Sequence, residues 1–245
     1  AKMGETVGVS ESTVVRFAIE LGFSGYPSLQ KSLQELIKNK LTTVQRLDLS
    51  NDYICNGYTL KGVLKADMEN IRATMEKINY STFEDVVNNI FEAKRIYIVG
   101  LRSSMALAEF LGFYLNVILQ NVKTVGYGIS DIFEEMINVG EGDLVIGIGF
   151  PRYANRTIDV LSFAQDRGAT VVALTDSIVS PLAQRADYAL IAQSNMASFV
   201  DSLVAPLSVI NALIIAVGLR QKESVSTTFN SLEEIWKEYN VYSYN

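Results

Sequence analysis

The chain has 245 residues, of which 49% are apolar and 20% charged, the balance of a folded globular protein rather than a disordered one. Cys55 is the only cysteine and histidine is absent, which excludes a disulfide framework and removes the commonest general base near neutral pH and the commonest zinc ligand. The net charge of -6 is unevenly spread: Ala1 to Arg46 holds six Lys/Arg against four Asp/Glu, so the acidic excess lies in the remainder and the N-terminal piece is the basic one.

The N-terminus has no charged-then-apolar signal pattern, and it enters helical sequence without an initiator Met, so the start of the chain is expected to be missing. From Gly8 and Val9, which suit a tight turn, Ser10 suits a helix N-cap. Val14, Phe17, Ala18 and Leu21 then fall at i, i+3, i+4 and i+7 as one apolar stripe, while Ser12, Thr13, Arg16 and Glu20 face elsewhere. Gly22 is the expected stop. A helix entered from a turn, with small hydroxyls in its first turn and an arginine one turn on, has the form of the second helix of a helix-turn-helix, where such side chains meet phosphates and base edges. An ordinary helical hairpin with a solvated polar face has the same periodicity.

The string GVSESTVVRFAIELGFSGYPSLQ resembles the helix-turn-helix of the RpiR family of bacterial transcription regulators. That resemblance implies an operator in double-stranded DNA as partner, with Ser10, Ser12, Thr13 and Arg16 at the DNA and Lys31 on a phosphate. The expected DNA-binding unit covers residues 1–46, shortened at its start.

Residues 47–79 are expected to connect this unit to the next, with a turn signal at Asn56-Gly57 and a helical pattern in VLKADMENIRATMEKI. Ser81-Thr82-Phe83-Glu84 has the spacing of a capping box and predicts a helix running through Phe91. From Arg95 the pattern alternates: RIYIVG, KTVGYG, DLVIGIGF, ATVVALTD and DYALIA are short β-branched runs, most of them followed by helical sequence. This predicts an α/β domain over 80–220, a five-stranded parallel sheet in an αβα sandwich. Leu203 to Leu219 is apolar but short for a bilayer and interrupted by Pro206, Ser208 and Asn211, so it reads as a core or interface helix with no membrane role. Residues 221–245 are expected to form a C-terminal helix, opened by a capping box at Ser231 to Glu234.

In a parallel sheet, ligands sit beyond the carboxyl ends of the strands. After the first strand, Gly100 permits close approach and Arg102, Ser103 and Ser104 stand at the start of a helix, a cradle for phosphate. A serine there also serves as a plain helix cap. After the third strand, Arg152, Tyr153, Asn155, Arg156 and Thr157 suit an anionic, polyhydroxylated ligand, or else a solvated loop paired to acids. The fourth strand ends in Thr175-Asp176-Ser177. A dinucleotide site is not expected, since position 102 is arginine where G-x-G-x-x-G needs its second glycine.

VGLRSSMALA, FPRYANRT and ALTDSIVSPLAQRADYAL together resemble the SIS (sugar isomerase) domain, which RpiR regulators carry after the helix-turn-helix. The resemblance implies a phosphorylated sugar as effector, held by Ser104 and the 149–157 loop, with Gly149 standing where many members have serine. It implies no enzyme activity, no cofactor and no metal, a cytoplasmic protein and a homodimer or homotetramer. Asp131, Glu134 and Glu135 lie where SIS enzymes keep a catalytic glutamate, so the alternative is a sugar-phosphate isomerase, which commonly needs a histidine.

Overall fold

The computed structural model describes residues 8–30, 33, 41–47, 59–126, 128, 131–196 and 198–243. Lys31, Cys55, the Asn56-Gly57 turn and Tyr127 lie outside them. The chain divides into two compact units, Ala1–Thr59 with Ala197–Val200 and Leu60–Met196 with Asp201–Asn245.

In the first unit, helix α1 spans Glu11–Glu20. Ser10 is its N-cap, with Oγ accepting from Thr13 N at 3.2 Å. The helix ends in a Schellman motif: Phe23 N donates to Ala18 O and Gly22 N to Ile19 O. Gly22 takes the left-handed conformation this requires, φ +83°. Residues 26–30 are helical again. Of the expected apolar stripe, Ala18 is buried and Val14 half-buried, but Phe17 and Leu21 are more than half exposed.

The second unit begins with α2 (Thr59–Lys77) and α3 (Tyr80–Glu92), followed by β1 (Ile96–Gly100), α4 (Ser104–Leu119), β2 (Val122–Val125), α5 (Ile132–Glu135), β3 (Leu144–Ile148), α6 (Asn155–Asp166), β4 (Thr170–Thr175), β5 (Tyr188–Ile191), α7 (Val204–Arg220) and α8 (Lys222–Glu238). All five strands are parallel, in the order β2-β1-β3-β4-β5. Strands β1 and β3 are buried along their whole length, as their unbroken β-branched runs require of a sheet covered on both faces. Alternate residues enter two cores. Ile96 and Ile98 pack with α3, α4 and α7 on one face; Tyr97 and Val99 pack with α5 and α6 on the other. The α/β sandwich expected from the sequence is therefore present.

Two helix starts differ from expectation. Helix α3 begins before Ser81, because Asn79 supplies the cap through Oδ1, which accepts from Thr82 N at 3.1 Å. Helix α8 already runs through Ser231, whose Oγ donates to Thr227 O at 3.3 Å inside the helix and caps nothing. In both places the capping-box spacing was present, but the true start lay upstream. Among the described residues, no single helix is long and apolar enough to cross a membrane. Much of α7 is core instead, burying Ala205, Val209, Ile210, Leu213 and Val217.

Candidate functional site

Strand register aligns the loops that matter. Gly100 lies beside Ile148 across β1 and β3, Ile148 beside Leu174 across β3 and β4, and Gly149 N donates to Leu174 O at 3.1 Å. The turns after β1, β3 and β4 therefore open side by side, with β1 at the point where the strand order reverses.

After β1 the chain turns tightly into α4. A Cβ on Gly100 would stand 2.6 Å from Ser104 O, so only glycine lets the helix start this close to the strand. Arg102 is left-handed at φ +59° and Ser103 right-handed at φ -61°, ψ -30°. Such a reversal turns successive N–H groups toward one point, the concavity that binds anions elsewhere in proteins. The amides of Ser104 and Met105 close back onto Leu101 O and Arg102 O. Neither serine acts as the helix cap expected of a plain structural role: Ser103, in the N-cap place, makes no side-chain cap bond, and Ser104 is the first helical residue, buried at 5% exposure.

After β3, Gly149 starts the second loop. A Cβ there would lie 2.7 Å from Leu182 Cδ2, and Leu182 is fully buried. The space a side chain at position 149 would use is thus filled by leucine. Helix α6 follows Ala154, which has no side chain to cap it, and Thr157 is buried in its first turn. Arg152 is exposed at the loop tip. Arg156 Nη2 pairs with Asp131 Oδ2 at 2.9 Å, and its guanidinium lies over the Phe133 ring.

Tyr153 Oη donates to Asp176 Oδ1 at 2.7 Å, tying the second loop to the end of β4. Thr175 Oγ1 also donates to Asp176 Oδ1, at 3.2 Å, and lies 3.1 Å from Ser180 Oγ. Thr175 is fully buried, so its hydroxyl supports the loop from behind. Ser177 Oγ accepts from Val179 N and shapes the exposed turn that follows. Burial pushes the Tyr153 phenol well above its ordinary value, with the Asp176 charge adding to it. Burial likewise raises Asp176, against the hydrogen bonds from Tyr153 and Thr175 that favour its charged form. The sequence pattern points to Tyr153, Thr175 and Ser177 as site residues but not to Asp176. The residue was visible in Thr175-Asp176-Ser177; its pairing was not, because that depends on β3 and β4 being neighbours.

The acids after β2 are engaged with their neighbours. Asp131 and Glu134 form a reciprocal capping box on α5, and Glu135 pairs with Lys123 at 3.3 Å. Among the described residues no cluster of metal-ligating side chains occurs.

A helix-turn-helix unit joined to an SIS-type parallel sheet defines a transcription regulator with an appended α/β domain. The chain belongs to the RpiR family: residues 1–40 match the "Helix-turn-helix domain, rpiR family" and residues 89–216 the SIS domain. It is 26% identical to the HTH-type transcriptional regulator HexR of Escherichia coli, over 97% of this chain and 82% of that protein. The sugar isomerase domain of an RpiR transcription factor from Sphaerobacter thermophilus is 30% identical, with TM-score 0.69, over 72% of this chain and 99% of that one. NanR of Vibrio vulnificus, solved in complex with ManNAc-6P, has the same fold at TM-score 0.63 and 18% identity, over 97% of this chain and 85% of that one. The chain spans about two thirds of the length of the first curated relatives it matches.

Proposed function

We propose that this regulator reads an operator with α1 and senses a phosphorylated sugar at the carboxyl ends of β1, β3 and β4, without turning it over. The observation that carries the effector half is the β1–α4 turn. It has a left-handed Arg102, two serines of which neither caps the helix, and a glycine that admits nothing larger. Phosphate is the ligand such a turn suits, because helix N-termini and nests present N–H groups to an anion. Arg102, Arg152, Tyr153 and Thr157 border the same edge and suit sugar hydroxyls and charge, with Thr175, Asp176 and Ser177 behind them. That NanR was solved with ManNAc-6P supports a ligand of this class.

For the DNA half, Ser12, Thr13 and Arg16 are exposed along α1, while Ser10 Oγ lies 2.8 Å from both Ser12 Oγ and Thr13 Oγ1, where the hydroxyls also order the helix start. Against an isomerase stand the absence of histidine and the engagement of Asp131, Glu134 and Glu135 in a cap and ion pairs. Incubation with glucosamine, fructose or ribose phosphates is expected to leave them unconverted; isomer formation by the pure protein would establish the enzyme instead.

The test is Ser104→Ala, studied by calorimetric titration with sugar phosphates beside a melting curve. A hydrogen bond to a charged group contributes roughly 1.5 to 3 kcal/mol, so affinity should fall about ten- to a hundredfold. Stability should change much less, since Ser104 caps nothing. An unaltered dissociation constant would remove Ser104 from the phosphate site.

A further inference from the structure

Helix α2 docks on its own domain through a row of polar bonds to the segment that follows β5. Asn70 Nδ2 donates to Asn195 O at 2.9 Å and Asn70 Oδ1 accepts from Asn195 N at 3.2 Å. Gln193 N donates to Thr74 Oγ1 at 2.8 Å, and Thr74 Oγ1 donates in turn to Asn70 O at 2.8 Å. Ser202 Oγ donates to Asp67 Oδ1 at 2.6 Å, while Ser194 Oγ donates to Ser202 O at 2.9 Å and closes residues 193–202 on themselves. Asn70 and Thr74 are buried, at 2% and 6% exposure, so a bond broken here leaves a desolvated group behind. Such a seam does not slide as an apolar one can; its bonds are made or they are not.

The same segment is held from the other side by the end of β4. Gln193 Nε2 donates to Asp176 O at 3.1 Å, and Asp176 Oδ1 accepts from Tyr153 Oη at 2.7 Å. Asp176 thus holds the loop after β3 with its side chain and the 193–202 segment with its main chain. From Tyr153 to Thr74 on α2, the chain of bonds passes through Asp176 and Gln193 and nothing else. Both elements at its far end run on along the chain into the first compact unit. Helix α2 does so at its N-terminal end, where the division falls at Thr59, and the 193–202 segment does so through residues 197–200.

We propose that Tyr153, Asp176, Gln193 and Thr74 form the relay by which an occupied effector site changes the seating of α2; its trigger rests on the effector reading given above. Tyr153 Oη has one proton to donate, so an effector oxygen that takes it removes it from Asp176. Asp176 then loses the partner that fixes it to the loop after β3, Gln193 loses its fixed acceptor, and the bonds of residues 193 and 195 to α2 loosen. The relay supplies the two discrete arrangements that coupling between sites needs. Gln193 and Thr74 act through Asp176 and are positioning residues.

The test reads hydrogen exchange by NMR in the whole chain, because the amides of Gln193 and Asn195 are themselves donors in the seam. Tyr153→Phe, without any ligand, should speed exchange of both amides about two- to tenfold, the worth of one hydrogen bond, and leave those of β1 and β3 at the wild-type rate. The ligands used are ManNAc-6P and the phosphates of glucosamine, fructose and ribose. One that binds by calorimetry should speed the same two amides in the wild type and add little in Tyr153→Phe, which already lacks the bond. Thr74→Val should bind that ligand as the wild type does, yet lose the ligand-induced change in the amides of α2, and Thr74→Ser should restore it. Wild-type exchange at Gln193 and Asn195 in Tyr153→Phe overturns the relay, whether or not any sugar phosphate binds and whether or not Thr74→Val folds. Binding that leaves both amides unchanged also overturns it, and the effector reading survives. If none of the sugar phosphates binds while both amides exchange fast in Tyr153→Phe, the bonded relay is supported and the effector reading falls.

Discussion

Asp176 shows what a single buried carboxylate does at the edge of this sheet. It accepts from Tyr153 Oη and from Thr175 Oγ1, and burial still holds it above the ordinary carboxylate range. A proton bound more tightly in the folded than in the unfolded chain means that lowering pH favours folding at this site. The stability it contributes is present below the ordinary carboxylate value and is lost as pH rises through the raised one. Asp176→Asn keeps an oxygen for both donors and removes the buried charge. The variant should therefore melt higher than the wild type at pH 7 to 8, by about 2 to 4 °C for each kcal/mol relieved, and lose that advantage toward pH 4. Melting curves of both proteins across this range check it. A variant that melts lower at pH 7 would mean that the charge itself holds the second loop. Residue types were legible here from the sequence alone: glycine at the end of β1, serines at the helix start, arginine and tyrosine after β3. Their partners were not. Leu182 filling the space beside Gly149 joins residues 33 positions apart, and no local pattern encodes it.

At the scale of elements, strands were the easier part because a β-branched run ending in glycine has few other readings. Helix starts were harder. The capping-box spacing at Ser81 and Ser231 recurs inside helices, and the chosen start was Asn79 in one case and lay well upstream in the other. Helix α1 is the opposite case: Ser10, Gly22 and the stripe between them fixed both ends. What its stripe did not foretell is the exposure of Phe17 and Leu21. The polar side of α1 carries the next prediction. Arg16 is exposed in the middle of the helix, a little over one turn from either end. Arg16→Ala should weaken operator binding by about 1 to 3 kcal/mol. Binding titrations at fixed salt measure this, since phosphate contacts weaken as salt rises. Unchanged operator affinity in a folded variant would take Arg16 out of the interface.

On the scale of the whole molecule, the proposed function gives each of the two compact units a ligand of different chemistry. If the sugar phosphate governs operator binding, the two binding events are linked, and linkage is reciprocal: a factor by which the effector changes operator affinity must equal the factor by which operator changes effector affinity. The coupling expected of such a protein is about 1 to 3 kcal/mol, a 5- to 150-fold change, whichever direction it takes. A ligand can shift an equilibrium only by its differential affinity for the two states, so the effector site must bind its ligand with a different free energy in the operator-bound and free forms. Titrating the effector calorimetrically into the protein, with and without a saturating operator duplex, gives one factor, and titrating duplex with and without effector gives the other. Equal factors different from one are the expected result. Ser104→Ala should leave the duplex affinity of the effector-free protein unchanged, while demanding more effector to produce the same shift. Effector affinity that is the same with and without operator would mean that the domain binds its sugar phosphate for some purpose other than controlling the helix-turn-helix.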